Sequence, residues 1–283
     1  ERGIDGWRLD VPHEIDDDAF WREFRKVCKG VNPGCYITGE IWGEAKRWLA
    51  GDQFDAVMNY QLSAACISYF GGKKLSLTHS YDGRRLEPGD QKKFLADINK
   101  LLGHYKYATT LVQMNMMSSH DTDRLLNTYG GDEALVKMAA VFSFLFPGAV
   151  NVYYGEEIGM EGALNAGTRN AMPWRNRKAW NTGLLKLYRQ LGALRRDNPV
   201  IKNGGFEFLK EHCDGEILAF RRRLGRAALT CYINNSPGAR EIRVKKSAPG
   251  TAPRALLNSG VKIKTEGKDL ILRLPPRGFL ALG

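Results

Sequence analysis

Gly3-Ile4-Asp5-Gly6-Trp7-Arg8-Leu9-Asp10-Val11-Pro12 is a short strand-like run that closes on a carboxylate. A second run, Tyr36-Ile37-Thr38-Gly39-Glu40-Ile41-Trp42, closes on another, and a third, Leu111-Val112-Gln113-Met114-Asn115-Met116-Met117, leads into Ser118-Ser119-His120-Asp121. Between the first two, Asp16-Asp17-Asp18 ahead of Ala19-Phe20-Trp21 signals a helix start, with acids favouring the first turn. That helix is expected to run to about Cys28 and to end near Gly30. Strand, helix and strand in this order read as a right-handed βαβ unit. An acid at the carboxyl end of each of several parallel strands is how a (β/α) barrel presents a catalytic site.

The residue types narrow the chemistry. Retaining glycoside hydrolysis needs one ionised carboxylate to attack the anomeric carbon and one protonated carboxyl to donate to the leaving oxygen. Arg8 lies two residues before Asp10, so on a strand both point to one face. A guanidinium there favours the ionised form of Asp10 that a nucleophile requires. Glu40 stands between Gly39 and the apolar Ile41-Trp42, where partial desolvation favours the protonated carboxyl of a general acid. Asp121 is placed to accept hydrogen bonds from sugar hydroxyls, and His120 to donate to one. Each residue also has a plainer reading, since a lone Asp at a strand end is usually a helix cap or a turn residue. The joint order carries the argument: Arg-x-Asp, then Gly-Glu-x-Trp, then His-Asp.

DGWRLD, GEIW and SSHDTDR resemble three of the sequence regions that define the α-amylase superfamily of glycoside hydrolases. The resemblance implies Asp10 as nucleophile, Glu40 as acid/base, Asp121 as transition-state stabiliser, and Arg8 and His120 as supporting residues. Phe54 to Tyr60 resembles the sixth barrel strand, and Val152 to Met160 the eighth strand and the loop after it. Asp10-Val11-Pro12-His13-Glu14, followed by Phe20-Trp21-Arg22-Glu23-Phe24-Arg25, is most similar to cyclomaltodextrinases, neopullulanases and maltogenic amylases. Those enzymes usually have Asn at the position of His13, and a Glu near the leaving-group subsites at that of Glu14. In Asn165-Ala166-Gly167-Thr168-Arg169 relatives usually have Asp-Pro before the arginine. In relatives that loop contacts the non-reducing side of the substrate, so the resemblance implies that Asn in place of a charged acceptor weakens polar contacts there. Trp42 and Tyr60 are candidate stacking platforms, because the C–H faces of sugars pack on aromatic rings, with core packing the other reading for either one.

The implied fold is α/β: strands four to eight of a (β/α)8 TIM barrel over residues 1–198, then a C-terminal antiparallel β-sandwich over 199–283. Barrel strands are expected at about 4–10, 36–41, 54–59, 111–117 and 149–154. The family's first conserved region, at the end of the third strand, has no match here, so the chain is expected to start at the fourth strand. A five-stranded arc leaves two exposed parallel edges and an unfilled interior. The expectation is therefore a piece that is inactive alone, its edges covered by an N-terminal barrel half or by another copy.

Elsewhere the signals are coarser. Gly71 to Asp90 reads as a loop over the barrel mouth, followed by a helix at 91–105. Ala139 to Val150, with Pro147-Gly148 inside, reads as a buried helix running into a buried strand. Leu184, Leu187, Leu191 and Leu194 mark the eighth barrel helix near 181–197, which Asn198-Pro199 ends. After 200, alternating runs at 206–209, 217–220, 228–233 and 270–274 argue an antiparallel sheet domain. No membrane span is expected, since no run of about 18 apolar residues exists. The net charge of +11 concentrates after residue 169, as in Arg195-Arg196, Arg221-Arg222-Arg223 and Arg243-Val244-Lys245-Lys246. Without interleaved aromatics it reads as a solvated basic face rather than a nucleic-acid surface. Five cysteines (28, 35, 66, 213, 231) without a CxxC pattern read as reduced thiols of a cytoplasmic protein. No metal cluster and no cofactor are expected in this chain. His79 and His104 read as solvated or structural, and the resemblance puts any calcium in the N-terminal part of the parent.

The expected reaction is retaining hydrolysis, or transfer, of α-glucosidic bonds in maltooligosaccharides or cyclodextrins, with an α-glucan oligosaccharide as partner. Two alternatives stand beside it. One is an α-1,6-glucosidase, isomerase or glucanotransferase on the same scaffold. The other is a non-catalytic carbohydrate-binding relative, which would usually have lost one or more of the acids.

Overall fold

A computed structural model describes residues 3–78, 81, 83–245 and 254–283. His79 and Lys246, and parts of the Gly71–Asp90 stretch, lie outside the described residues. The N-terminal part is built on parallel strands met in chain order. β1 (Gly6–Leu9) pairs with β2 (Tyr36–Gly39), and β2 with β3 (Ala56–Val57). A single parallel bridge from Met58 to Met114 carries the order on to β4 (Met114–Asn115), which pairs with β5 (Ala149–Val150). The backbones of β1 and β2 approach so closely at Gly6 that a Cβ there would overlap the Tyr36 carbonyl.

Helices connect these strands. α1 (Asp18–Val31) starts at Asp17, whose carboxylate accepts from the amides of Ala19 and Phe20. It buries Trp21 against Phe54 and Ile37. It runs through Gly30, ending later than the glycine signal suggests; the Asn32 amide closes it by donating to the Cys28 carbonyl. After β3 come α2 (Tyr60–Gly71), α3 (Gln91–His104) and the single turn α4 (Tyr107–Thr110). α5 (Leu125–Thr128) and α6 (Glu133–Leu145) lie between β4 and β5, and α7 (Thr182–Asp197) and α8 (Pro199–Asn203) follow β5. α6 is buried almost all round, as the apolar run predicts.

The strands are shorter than expected. Leu111 to Gln113 belong to the α4 turn rather than to a strand, with the Leu111 amide bonded to the Tyr107 carbonyl. β5 is not buried: Ala149 is exposed, because no strand pairs on its outer side among the described residues. Gly148 before it has φ of +129°, and a Cβ there would overlap the Asn115 side chain.

The C-terminal part is antiparallel. β6 (Gly205–Phe208), β7 (Ile217–Leu224), β8 (Ala227–Asn234), β13 (Phe279–Leu282) and β10 (Ala255–Asn258) form one sheet in that spatial order. β9 (Arg240–Lys245), β12 (Asp269–Leu274) and β11 (Lys262–Glu266) form a second. Side chains of β7 alternate between two cores. Ile217 and Ala219 join Val244, Leu270 and Leu272 from the smaller sheet, whereas Leu218 and Phe220 join the helical core around Phe94 and Phe142. Arg222, fully buried, binds the two parts together by donating to the carbonyls of Leu145 and Gly204, each at 2.6 Å.

Candidate active site

The register of β1 and β2 sets the geometry. Arg8 lies beside Thr38 and Leu9 beside Gly39, and the Glu40 amide donates to the Leu9 carbonyl at 2.9 Å. Asp10 and Glu40 therefore leave the ends of adjacent strands at the same level. Arg8 joins them: Nη1 contacts Asp10 Oδ1, and Nη2 lies 2.9 Å from Glu40 Oε2. Two carboxylates on one guanidinium fall within the roughly 10 Å over which a carboxyl pair can flank a glycosidic bond. Their settings differ. The Asp10 side chain is 76% exposed, whereas that of Glu40 is 4% exposed.

Val11 turns the chain sharply after Asp10. Its φ of 31° is left-handed, an outlier for a β-branched residue and a form of backbone strain that clusters at functional sites. The turn aims the Val11 amide at Glu40 Oε2, 3.2 Å away. On the other carboxylate oxygen, the Tyr60 hydroxyl donates to Glu40 Oε1 at 3.4 Å and meets Ser119 Oγ at 3.4 Å. Burial pushes the Tyr60 phenol well above its ordinary range, so it stays a donor.

Ser119 leads to the third acid. Its Oγ accepts from the Asp121 amide at 3.1 Å. Asp121 is held between His120 Nε2 at 2.9 Å and Arg169 Nη2 at 2.7 Å, and Arg169 Nε also donates to the His120 carbonyl. The three predicted acids and Arg8, His120 and Arg169 thus belong to one connected group.

The remaining predicted residues sit differently. His13 and Glu14 are exposed and lie 3.9 Å from each other; among the described residues neither contacts the three acids. Trp42 stacks flat on Tyr60, with ring centroids 3.6 Å apart and an 8° interplanar angle. The reading of Tyr60 as a stacking platform is corrected: it is 2% exposed, one face is covered by Trp42, and what it offers the site is its hydroxyl. Trp42, half-buried, packs edge-on to Tyr81.

Sequence reasoning missed Ser119, the Val11 turn and Glu156. Glu156 follows a glycine as Glu40 does, and that repeated Gly-Glu pair was the available signal. It is buried and accepts from Ser118 Oγ at 2.6 Å and from the Leu125 amide at 3.1 Å. Burial raises it to about 7. Asp123, in the same loop, accepts from the Thr78 amide and hydroxyl and from the Leu164 amide. A separate cleft of about 1150 Å³ between α3 and the C-terminal strands is bordered by Lys73, Gln91, Glu216 and Arg277; none of the three acids lines it. Among the described residues, no His, Cys, Asp and Glu side chains cluster as a metal site would require, and no helix is long and apolar enough to cross a membrane.

Parallel strands joined by helices, with acids and a shared guanidinium at their carboxyl ends, define an α/β protein whose site is made of carboxylates. Residues 1–182 match the family "Alpha amylase, catalytic domain". The chain belongs to this family of glycoside hydrolases. It is 37% identical over 280 residues to a cyclomaltodextrinase of Geobacillus thermopakistaniensis, covering 99% of this chain and 45% of that one. It is 36% identical over 279 residues to neopullulanase 2 of Thermoactinomyces vulgaris, again covering 99% and 45%. Among solved structures, the Nostoc punctiforme debranching enzyme in its native form superposes with a TM-score of 0.89 at 35% identity, covering 99% of this chain and 58% of that one. The chain spans less than half the length of these two curated relatives.

Proposed function

We propose that the parent protein cleaves α-glucosidic bonds of maltooligosaccharides, cyclodextrins or related α-glucans with retention, by hydrolysis or transfer to a second sugar. The observation that carries this reading is Arg8, whose two terminal nitrogens hold Asp10 and Glu40 together. Asp10, open to solvent, attacks the anomeric carbon. Glu40, buried beneath it, protonates the leaving oxygen and then activates the incoming water or sugar hydroxyl. Asp121, fixed by His120 and Arg169, accepts hydrogen bonds from hydroxyls of the distorted ring. His13, Glu14 and Trp42 line the approaches.

On this reading β1 to β5 are strands four to eight of a (β/α)8 barrel occupying residues 1–198, and residues 199–283 form a β-sandwich behind it. The outer edges of β1 and β5, with Ile4, Trp7 and Val152 exposed nearby, are then covered by an N-terminal barrel half or by another copy. Five free thiols fit a reducing cytoplasm. A second reading, α-1,6 cleavage on the same machinery, has support in the likeness to a structure named a debranching enzyme.

Turnover of a cyclodextrin, pullulan and isomaltose by the full-length parent, with products separated by chromatography, tests both readings. Cyclodextrin opening with retained anomeric configuration is the expected result, and cleavage confined to isomaltose would favour the second reading. Asp10→Asn and Glu40→Gln are each expected to lower kcat at least about a thousandfold. A variant that keeps more than about a tenth of the wild-type rate would contradict its assignment.

A further inference from the structure

The loop that carries His120 and Asp121 begins at Ser118 and ends where α5 starts, at Leu125. One side chain reaches both ends. Glu156 Oε1 accepts from Ser118 Oγ at 2.6 Å and from the Leu125 amide at 3.1 Å, with Oε2 also 3.3 Å from that amide. Glu156 is buried, in a short helical turn after β5. The neighbouring guanidinium does not replace it. Arg124 Nη1 donates to the Tyr154 carbonyl at 2.6 Å, and its ring contacts are with Tyr153 and Tyr154. Further contacts from the same stretch fasten the middle of the loop. Thr168 Oγ1 donates to the Thr122 carbonyl, Gly162 accepts from the Arg124 amide, and Arg169 Nε donates to the His120 carbonyl.

We infer that Glu156 is a positioning residue that closes the two ends of the 118–125 loop and thereby sets where Asp121 stands against the substrate. The inference rests on the proposed role of Asp121 in glycoside cleavage. Among the described residues Glu156 makes no hydrogen bond to Asp121, so it acts through the loop. What matters is an acceptor oxygen in this place. Glutamine supplies one at the same reach, and alanine supplies none.

Two readouts test this. Hydrogen–deuterium exchange on the full-length parent compares peptides covering 117–126 with peptides from α6. In Glu156→Ala the loop amides exchange at least about tenfold faster while the α6 amides hold their protection. In the full-length parent the same variant lowers kcat at least about tenfold, with KM changed less than about threefold. Glu156→Gln restores both to within about threefold of wild type. Unchanged exchange and unchanged kcat in Glu156→Ala overturn the inference. So does a Gln variant as impaired as the Ala variant, or loosening that spreads equally into α6. If Glu156→Ala fails to fold, Ser118→Ala opens the other half of the clamp, and faster exchange confined to 118–125 is expected; unchanged exchange there overturns the inference too. Full activity in Glu156→Ala alongside loss in Asp10→Asn sinks this inference alone, whereas full activity in Asp10→Asn sinks the reading beneath it.

Discussion

Glu40 and Glu156 begin alike. Each follows a glycine, each is almost completely buried, and each accepts one backbone amide, from Val11 and from Leu125 respectively. Their remaining partners separate them. Glu40 faces a guanidinium that also holds Asp10, and a phenol that links onward to the Asp121 loop. Glu156 faces a serine hydroxyl, while Arg124 gives Nη1 to a carbonyl and lies over two rings, its Nε and Nη2 making no hydrogen bond among the described residues. A carboxyl that shares a cation with an open acid at the end of the neighbouring strand is placed where the proposed reaction needs it. A carboxyl given neutral donors within a closed interior is equipped to hold backbone in place. Burial is common to both, so the partner set decides the role.

The largest effect is expected from removing the feature that only Glu40 has. Arg8→Ala leaves a buried carboxyl without its cation, a loss on the scale of about 3–5 kcal/mol. A loss of that size felt in the transition state corresponds to about 150- to 5000-fold in kcat/KM in the full-length parent. Steady-state kinetics that show less than about a tenfold loss would remove the distinction drawn between the two glutamates.

The next effect belongs to Glu156 and is read in stability. Burial lifts it from 4.5 to about 7 in the folded state. A folded value above the unfolded one means that its contribution is fully present below about pH 4.5 and is lost as pH rises through about 7. Thermal or urea unfolding of wild type and Glu156→Gln between about pH 4 and about pH 8 should show the balance moving by about 3 kcal/mol in favour of the Gln variant as pH rises. A pH-independent difference would contradict the buried, weakly compensated setting described for Glu156. The smallest effect is expected from Tyr60→Phe, which removes one neutral donor from Glu40. The loss should be about 1 kcal/mol, or several-fold in kcat, with little change in KM.

What the sequence disclosed follows the physics of each element. The acids were legible because strand ends, glycine and a paired arginine repeat in order, and α1, α6 and α7 were legible from caps and apolar periodicity. Arg8 in contact with both Asp10 and Glu40 was not, since that depends on the β1–β2 register, which no local pattern encodes. For Tyr60 the sequence leaves platform and core packing open, and the core reading holds because α2 starts there and Trp42 lies over it. Leu111 to Gln113 looked like strand by composition, but the turn begun at Tyr107 claims their amides. In the C-terminal sheets, β7 and β8 announced themselves by alternation. β9 and β11 did not: Arg240-Glu241-Ile242-Arg243-Val244-Lys245 and Lys262-Ile263-Lys264-Thr265-Glu266 carry charge on an exposed face and have too few apolar residues to show a period.

The most direct measurement is covalent. A fluorinated α-glucosyl fluoride that slows breakdown of a glycosyl-enzyme, followed by proteolysis and mass spectrometry of the full-length parent, identifies the residue that attacks the sugar. The account predicts a single glycosyl group on Asp10, absent in Asp10→Asn. A label on any other residue, or turnover without a covalent species and with inversion at the anomeric centre, would contradict it.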